Sequence, residues 1–144
     1  MRERSEAQAF LSQVQLLDAK IKNKLIEQQQ WREIALGITA SMDGERVQSS
    51  GSKSKMANAI ERCVDMETEI DNLIDELVDT KKKVIQTIER LDNAVEYDVL
   101  HRRYIQYQEF EEIAAHYGYE YGWATTTHGR ALKNVQRIME EKWK

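Results

Sequence analysis

Asp98-Val99-Leu100-His101-Arg102-Arg103-Tyr104 leads through a short connection to Phe110-Glu111-Glu112-Ile113-Ala114, and further on the chain reads Arg130-Ala131-Leu132. In three successive windows the apolar residues fall on one helical face each: Val99 and Leu100, then Ile113 and Ala114, then Leu132. Gly118 stands where two short helices must turn sharply. This spacing reads as a helix-turn-helix, a unit whose second helix lies in the major groove of duplex DNA. Three helices are expected there: about 92–107, 109–117 and 121–140.

Working outward, Phe10, Val14, Leu17, Ile21, Leu25, Trp31 and Ile38 recur at steps of three and four or their sums, which predicts a first amphipathic helix ending near Gly37. The segment 37–55 carries Gly37, Gly44, Gly51 and five serines, the composition of a loop. A loop that long is usually functional or disordered; Arg46 and Lys53 within it could touch phosphate or a partner, but a bland solvated linker is the preferred reading. Next, Met56, Ile60, Cys63, Ile70, Ile74, Leu77, Val84, Ile88, Leu91 and Val95 keep a coiled-coil spacing, interrupted at Glu67 and Lys81. A helix from about Lys55 to about Ala94 would extend roughly 60 Å at 1.5 Å per residue and needs a partner helix. The first helix folded back, or a second copy of the chain, would supply one. Leu91-Asp92-Asn93 offers a break before the C-terminal unit.

The expected class is therefore all-α: a long helical hairpin or coiled-coil arm over residues 1–94, then a three-helix helix-turn-helix unit over 95–144. The absence of proline and the abundance of strong helix formers agree with that class. With 144 residues and 41% hydrophobic content, the chain has a modest core and no room for a large catalytic scaffold. Cys63 is the only cysteine, so neither an internal disulfide nor a thiolate metal cluster can form. The start, Met1 to Glu6, lacks the apolar core of a signal peptide, and no stretch approaches the roughly 20 apolar residues a bilayer requires. A soluble protein of a reducing cytoplasm, with no membrane association, is the expectation.

The string from Asp98 to Leu132 resembles the promoter-reading fourth region of bacterial sigma factors, in which a VLxxRY helix, an FEEIA helix, a Gly turn and a helix closing on RAL succeed one another. Val99-Leu100, Arg103-Tyr104, Phe110 to Ala114, Gly118 and Arg130-Ala131-Leu132 meet that pattern without insertion. The whole chain also resembles the small phage regulators of the RinA and ArpU type. These resemblances imply a phage-encoded regulator of late or packaging genes, at work in the cytoplasm of a bacterial host, with double-stranded DNA and RNA polymerase as partners. Two departures stand out. Glu109 occupies the place of the usual Ser or Thr before the FEEIA helix, where a charge-dipole interaction would substitute for the cap. Trp123-Ala124 stands where a Thr-Val pair often opens the recognition helix, so the DNA sequence bound is not transferable.

The net charge of −4 puts the burden on local charge. From Tyr121 to Met139 there are Arg130, Lys133 and Arg137 and no acid, whereas Glu61 to Asp79 holds eight acids against Arg62 alone. Candidate base readers are Tyr121, Thr125, Thr126 and Thr127, because the first turns of a recognition helix reach the groove edges. Arg130, Lys133 and Arg137 follow as phosphate contacts, with Arg102 and Arg103 on the preceding helix. Arg103 would equally serve an internal pair with Glu112. Trp123 reads as core or interface, and Tyr104, Tyr107, Tyr117 and Tyr119 read with Phe110 as core packing. Gly129 reads as a point of close helix approach. His101, His116 and His128 share no helical face, and no metal motif, cofactor loop or nucleophile-base arrangement is visible, so no enzyme, metal or cofactor is expected.

The reading is a sequence-specific DNA-binding transcription regulator that dimerises, or contacts RNA polymerase, through its helical arm. Its rival is a helical adaptor whose acidic arm, centred on Glu61 to Asp79, binds a protein partner without DNA recognition.

Overall fold

A computed structural model describes residues 5–37 and 50–142. It is all-α. The helices are α1 (Glu6–Ala35), α2 (Ser50–Ile88), α3 (Ala94–Leu100), α4 (Phe110–Tyr117) and α5 (Tyr121–Lys142), with α3 running on as a π-helical turn over His101–Ile105.

Local chemistry explains each boundary. At the start of α1 the Ser5 hydroxyl accepts the Gln8 N–H at 3.1 Å, and Gly37 takes the left-handed conformation (φ 70°) just beyond its end. Helix α2 begins at Ser50, so residues 50–55 are helical rather than loop. Serine is at home in a first turn, and Lys53, Lys55 and Met56 are good helix formers. The rest of the expected loop beyond Gly37, with Arg46, lies outside the described residues.

The long helix stops at Ile88, not near Ala94. Asn93 is the cause of the restart: its Oδ1 accepts the N–H groups of Val95 and Glu96 at 2.9 and 3.0 Å and opens α3 as a separate helix. At α4 the Glu112 carboxylate accepts the Glu109 N–H at 3.1 Å, the returning half of a capping box. The helix closes on Gly118 (φ 75°), with Tyr119 N–H bonded to the Ala114 carbonyl and Gly118 N–H to that of Ala115.

The chain forms two compact units, Met1–Leu16 with Leu77–Lys144, and Leu17–Glu76. This division differs from the expected 1–94 and 95–144. The reason is visible in the first unit: Ala7, Leu11 and Val14 of α1 and Val84 and Ile88 of α2 share one buried cluster with Leu100 and Tyr104 of α3 and Ala131, Val135 and Met139 of α5. The Ala7 N–H, an otherwise unpaired donor of the first turn of α1, is accepted by the Gln136 side chain of α5 at 3.0 Å. The short α4 adds buried Ile113 and Ala114.

In the second unit Leu17 and Ile21 of α1 and Ala59, Met66 and Ile70 of α2 are buried. Lys24 bonds Glu69 at 3.2 Å, while Gln28 donates to the Cys63 carbonyl at 3.2 Å and to Glu67 at 2.9 Å. Partner numbers fall as the α1 number rises, so the two helices run antiparallel here. Arg62 reaches the other Glu69 oxygen at 2.6 Å. The hydrogen bonds from Lys24 and Arg62 hold the Glu69 carboxyl below its ordinary value.

Candidate nucleic-acid interface

Helix α5 presents two faces of different character. Ala124, His128, Ala131, Val135 and Met139 are buried at steps of three and four. Thr126, Arg130, Lys133 and Arg137 are exposed at the same steps on another face. That row spans roughly 16 Å of helix and carries three cations. Tyr121 is exposed at the first turn. Thr125 is half-buried, and its hydroxyl donates to the Gly122 carbonyl at 3.1 Å.

Thr127 departs from the expected set. It is only 4% exposed, because it stands one turn after Ala124 and one turn before Ala131 on the packed side of α5. It is not available to a groove. Gly129 is also corrected: a Cβ built there meets nothing within 4 Å, so close helix approach does not account for it.

The two arginines of α3 are engaged inside the unit. Arg102 donates to Asp98 at 2.7 Å and lies 2.9 Å from His116 Nε2. Tyr117 Oη also donates to that Asp98 oxygen. Burial would raise the Asp98 carboxyl, but the hydrogen bonds from Tyr117 and Arg102 outweigh it and hold the carboxyl below its ordinary value. Burial and the same carboxylate push the Tyr117 phenol up to about 12. Arg103 lies over the Phe110 ring at 4.2 Å and pairs with Glu109 at 3.6 Å, not with Glu112, whose carboxylate caps α4. Both arginines thus tie α3 to α4 and its entry turn.

His128 sits beneath this surface. Its Nε2 is 2.6 Å from Tyr104 Oη, and its ring stands edge-on to Phe110 at 4.9 Å. Burial, helped by the Arg103 charge, pushes its pKa down to about 4. The neutral imidazole and the phenol share this buried hydrogen bond, whose direction follows the ring tautomer. The residue's place is foreshadowed by its spacing from Ala124, Ala131 and Val135, a packing signal and not a metal one.

The tyrosines divide. Tyr104 is buried, as the core reading expects, but Tyr119 is 57% exposed. Trp123 lies against Tyr119 at 4.8 Å and Tyr117 at 5.0 Å between ring centroids. These three rings border a cavity of 290 Å³ that also meets Glu96, Thr127 and Arg130. No sequence signal singled out Glu96, which stands in the first turn of α3. Among the described residues no helix is long and apolar enough to cross a membrane. No protein-family model, curated protein or solved structure shows a significant match to the chain.

Proposed function

We propose that the protein is a sequence-specific DNA-binding transcription regulator that lays α5 in the major groove. The observation that carries this reading is the exposed row Thr126, Arg130, Lys133 and Arg137 on a helix with no acid from Tyr121 to Met139, set after α4 by the Gly118 turn. In this reading Tyr121, Thr125 and Thr126 contact base edges or the adjoining backbone. Arg130, Lys133 and Arg137 neutralise phosphates. Arg102 and Arg103 rank behind them, since each already has an internal partner.

The arm supplies the partner surface in this proposal. In the second unit Leu25, Ile26, Ile60, Val64 and Ile74 remain exposed, an apolar excess that suits a second copy of the chain or RNA polymerase. The same excess favours the adaptor as the second reading.

Selection from random duplex DNA at two salt concentrations tests the proposal. The expected result is an enriched motif whose affinity falls steeply with salt, with the slope reduced by about 1 for each of Arg130 and Lys133 replaced. Replacing both with Glu abolishes retention on DNA. Failure to enrich any motif at low salt refutes the regulator, and partner capture by the arm in that same double variant supports the adaptor.

A further inference from the structure

We propose that a second copy of this chain packs antiparallel along one exposed row of α2, formed by Lys53, Ala57, Ile60, Val64, Glu67 and Asp71. The row advances by alternating steps of four and three, the spacing of a coiled-coil seam. It is distinct from the buried row Ala59, Met66 and Ile70 of the same helix. At roughly 100° per residue the two rows lie about a third of a turn apart. All six residues of the first row are exposed, with Ile60 at 53% and Val64 at 63%. This interface deepens the second-copy role proposed for the arm and rests on that role, not on DNA recognition.

The order of charges along the row selects the occupant. A two-fold dimer needs a patch that is complementary to itself. With the axis beside Arg62, positions equidistant from it meet across the interface. Ile60 then packs on Val64 of the second copy and Lys53 pairs with its Asp71, each contact made twice. Among the described residues neither Lys53 nor Asp71 has an ion pair within the chain. Ala57 faces Glu67 of the second copy, and its small side chain leaves room for a carboxylate whose Oε2 already accepts from Gln28 at 2.9 Å. The Arg62 guanidinium is drawn aside to Glu69 at 2.6 Å. A parallel copy in register would instead set Lys53, Glu67 and Asp71 each against its own twin, and like charges across a seam repel. An unrelated charged partner would be served by one sign along the row and needs no mirrored order.

Sedimentation velocity of the full chain without DNA tests this interface and reads it separately from DNA recognition. The expected result is a reversible monomer–dimer equilibrium. Val64→Asp should leave monomer only. Asp71→Lys should weaken association about tenfold, and Lys53→Asp combined with Asp71→Lys should restore it. Orientation is read by oxidative crosslinking in a Cys63→Ser background, with Lys53→Cys chains mixed with Asp71→Cys chains. A covalent dimer should form in the mixture and in neither sample alone. Within one chain the two positions stand roughly 27 Å apart along α2 and cannot link. Circular dichroism checks each fold; should Val64→Asp not fold, the charge variants and the crosslink decide the matter. Monomer alone up to about 1 mM, a charge-swapped double variant no tighter than Asp71→Lys, a Lys53→Cys chain that links to itself, or a dimer without the mixed link would each overturn the proposal. A monomeric chain that still enriches a DNA motif would reject this interface and leave the DNA reading standing.

Discussion

Acidification should loosen the first unit through one imidazole. His128 is 9% exposed, and its pKa falls from 6.5 to about 4 on folding. The neutral ring is hydrogen-bonded to Tyr104, and protonation places a charge in a buried position near Arg103. Because the folded pKa is depressed, the unfolded chain binds the proton first. The contribution is fully present above pH 6.5, is lost as pH falls from 6.5 to about 4, and changes no further below that. A drop of about two and a half units at 1.36 kcal/mol each gives roughly 3 kcal/mol, enough to matter against a marginal total. The assay is urea denaturation followed by circular dichroism across this window, on the wild type and on His128→Gln, which retains an amide acceptor but cannot titrate. Asp98 and Glu69, both held below their ordinary values, act at lower pH and cancel in the difference. The wild type should lose roughly 3 kcal/mol relative to the variant between pH 6.5 and about 4. Parallel curves for the two proteins would refute the reasoning.

Leu11 is fully buried in the cluster it shares with α5, whereas Leu16 is 55% exposed. Thermal denaturation should therefore show Leu11→Ala costing about 3 kcal/mol and Leu16→Ala less than about 0.5 kcal/mol. Gly118→Ala meets no steric neighbour but must hold φ near 75°, so it should cost about 1 kcal/mol. Gly129→Ala has open space in a helix interior and should stabilise by about 1 kcal/mol in the same measurement. Asp98→Asn removes the carboxylate that Tyr117 donates to, so an alkaline absorbance titration should move the Tyr117 midpoint from about 12 toward 10. An unchanged midpoint would mean that burial alone raises it.

Much of the fold can be read along the chain, because the determinants of helix boundaries are short-ranged. Gly37 and Gly118 end helices where their freedom to take positive φ is needed, and Asn93 opens α3 with its own side chain. The spacings of Val99, Leu100, Ile113 and Ala114 correctly place all four in the interior. The connection 37–55 reads as loop throughout because serines and glycine depress helix propensity, yet its last residues join α2, whose long apolar register carries them.

Burial is a different kind of quantity, set by residues distant in the sequence. Periodicity could not say that Ala7, Leu11 and Val14 pack with Val135 and Met139, since nothing local in α1 distinguishes its first turns from its later ones. It could not say that Thr127 turns inward while Thr126 stays outside, because three consecutive threonines carry the same polarity and only the packed face of α5 separates them. Nor could it show that Arg102 and Arg103 are already engaged, or that Glu96 is buried beside three aromatic rings, since those are meetings of side chains from separate helices. The sequence alone determined that the class is all-α and, at Gly37 and Gly118, where helices end, because backbone hydrogen bonding and capping are local. Only the tertiary structure decided which face of each helix meets solvent, and with it which cations remain available to a phosphate, because exposure is a property of the packed chain and not of its order.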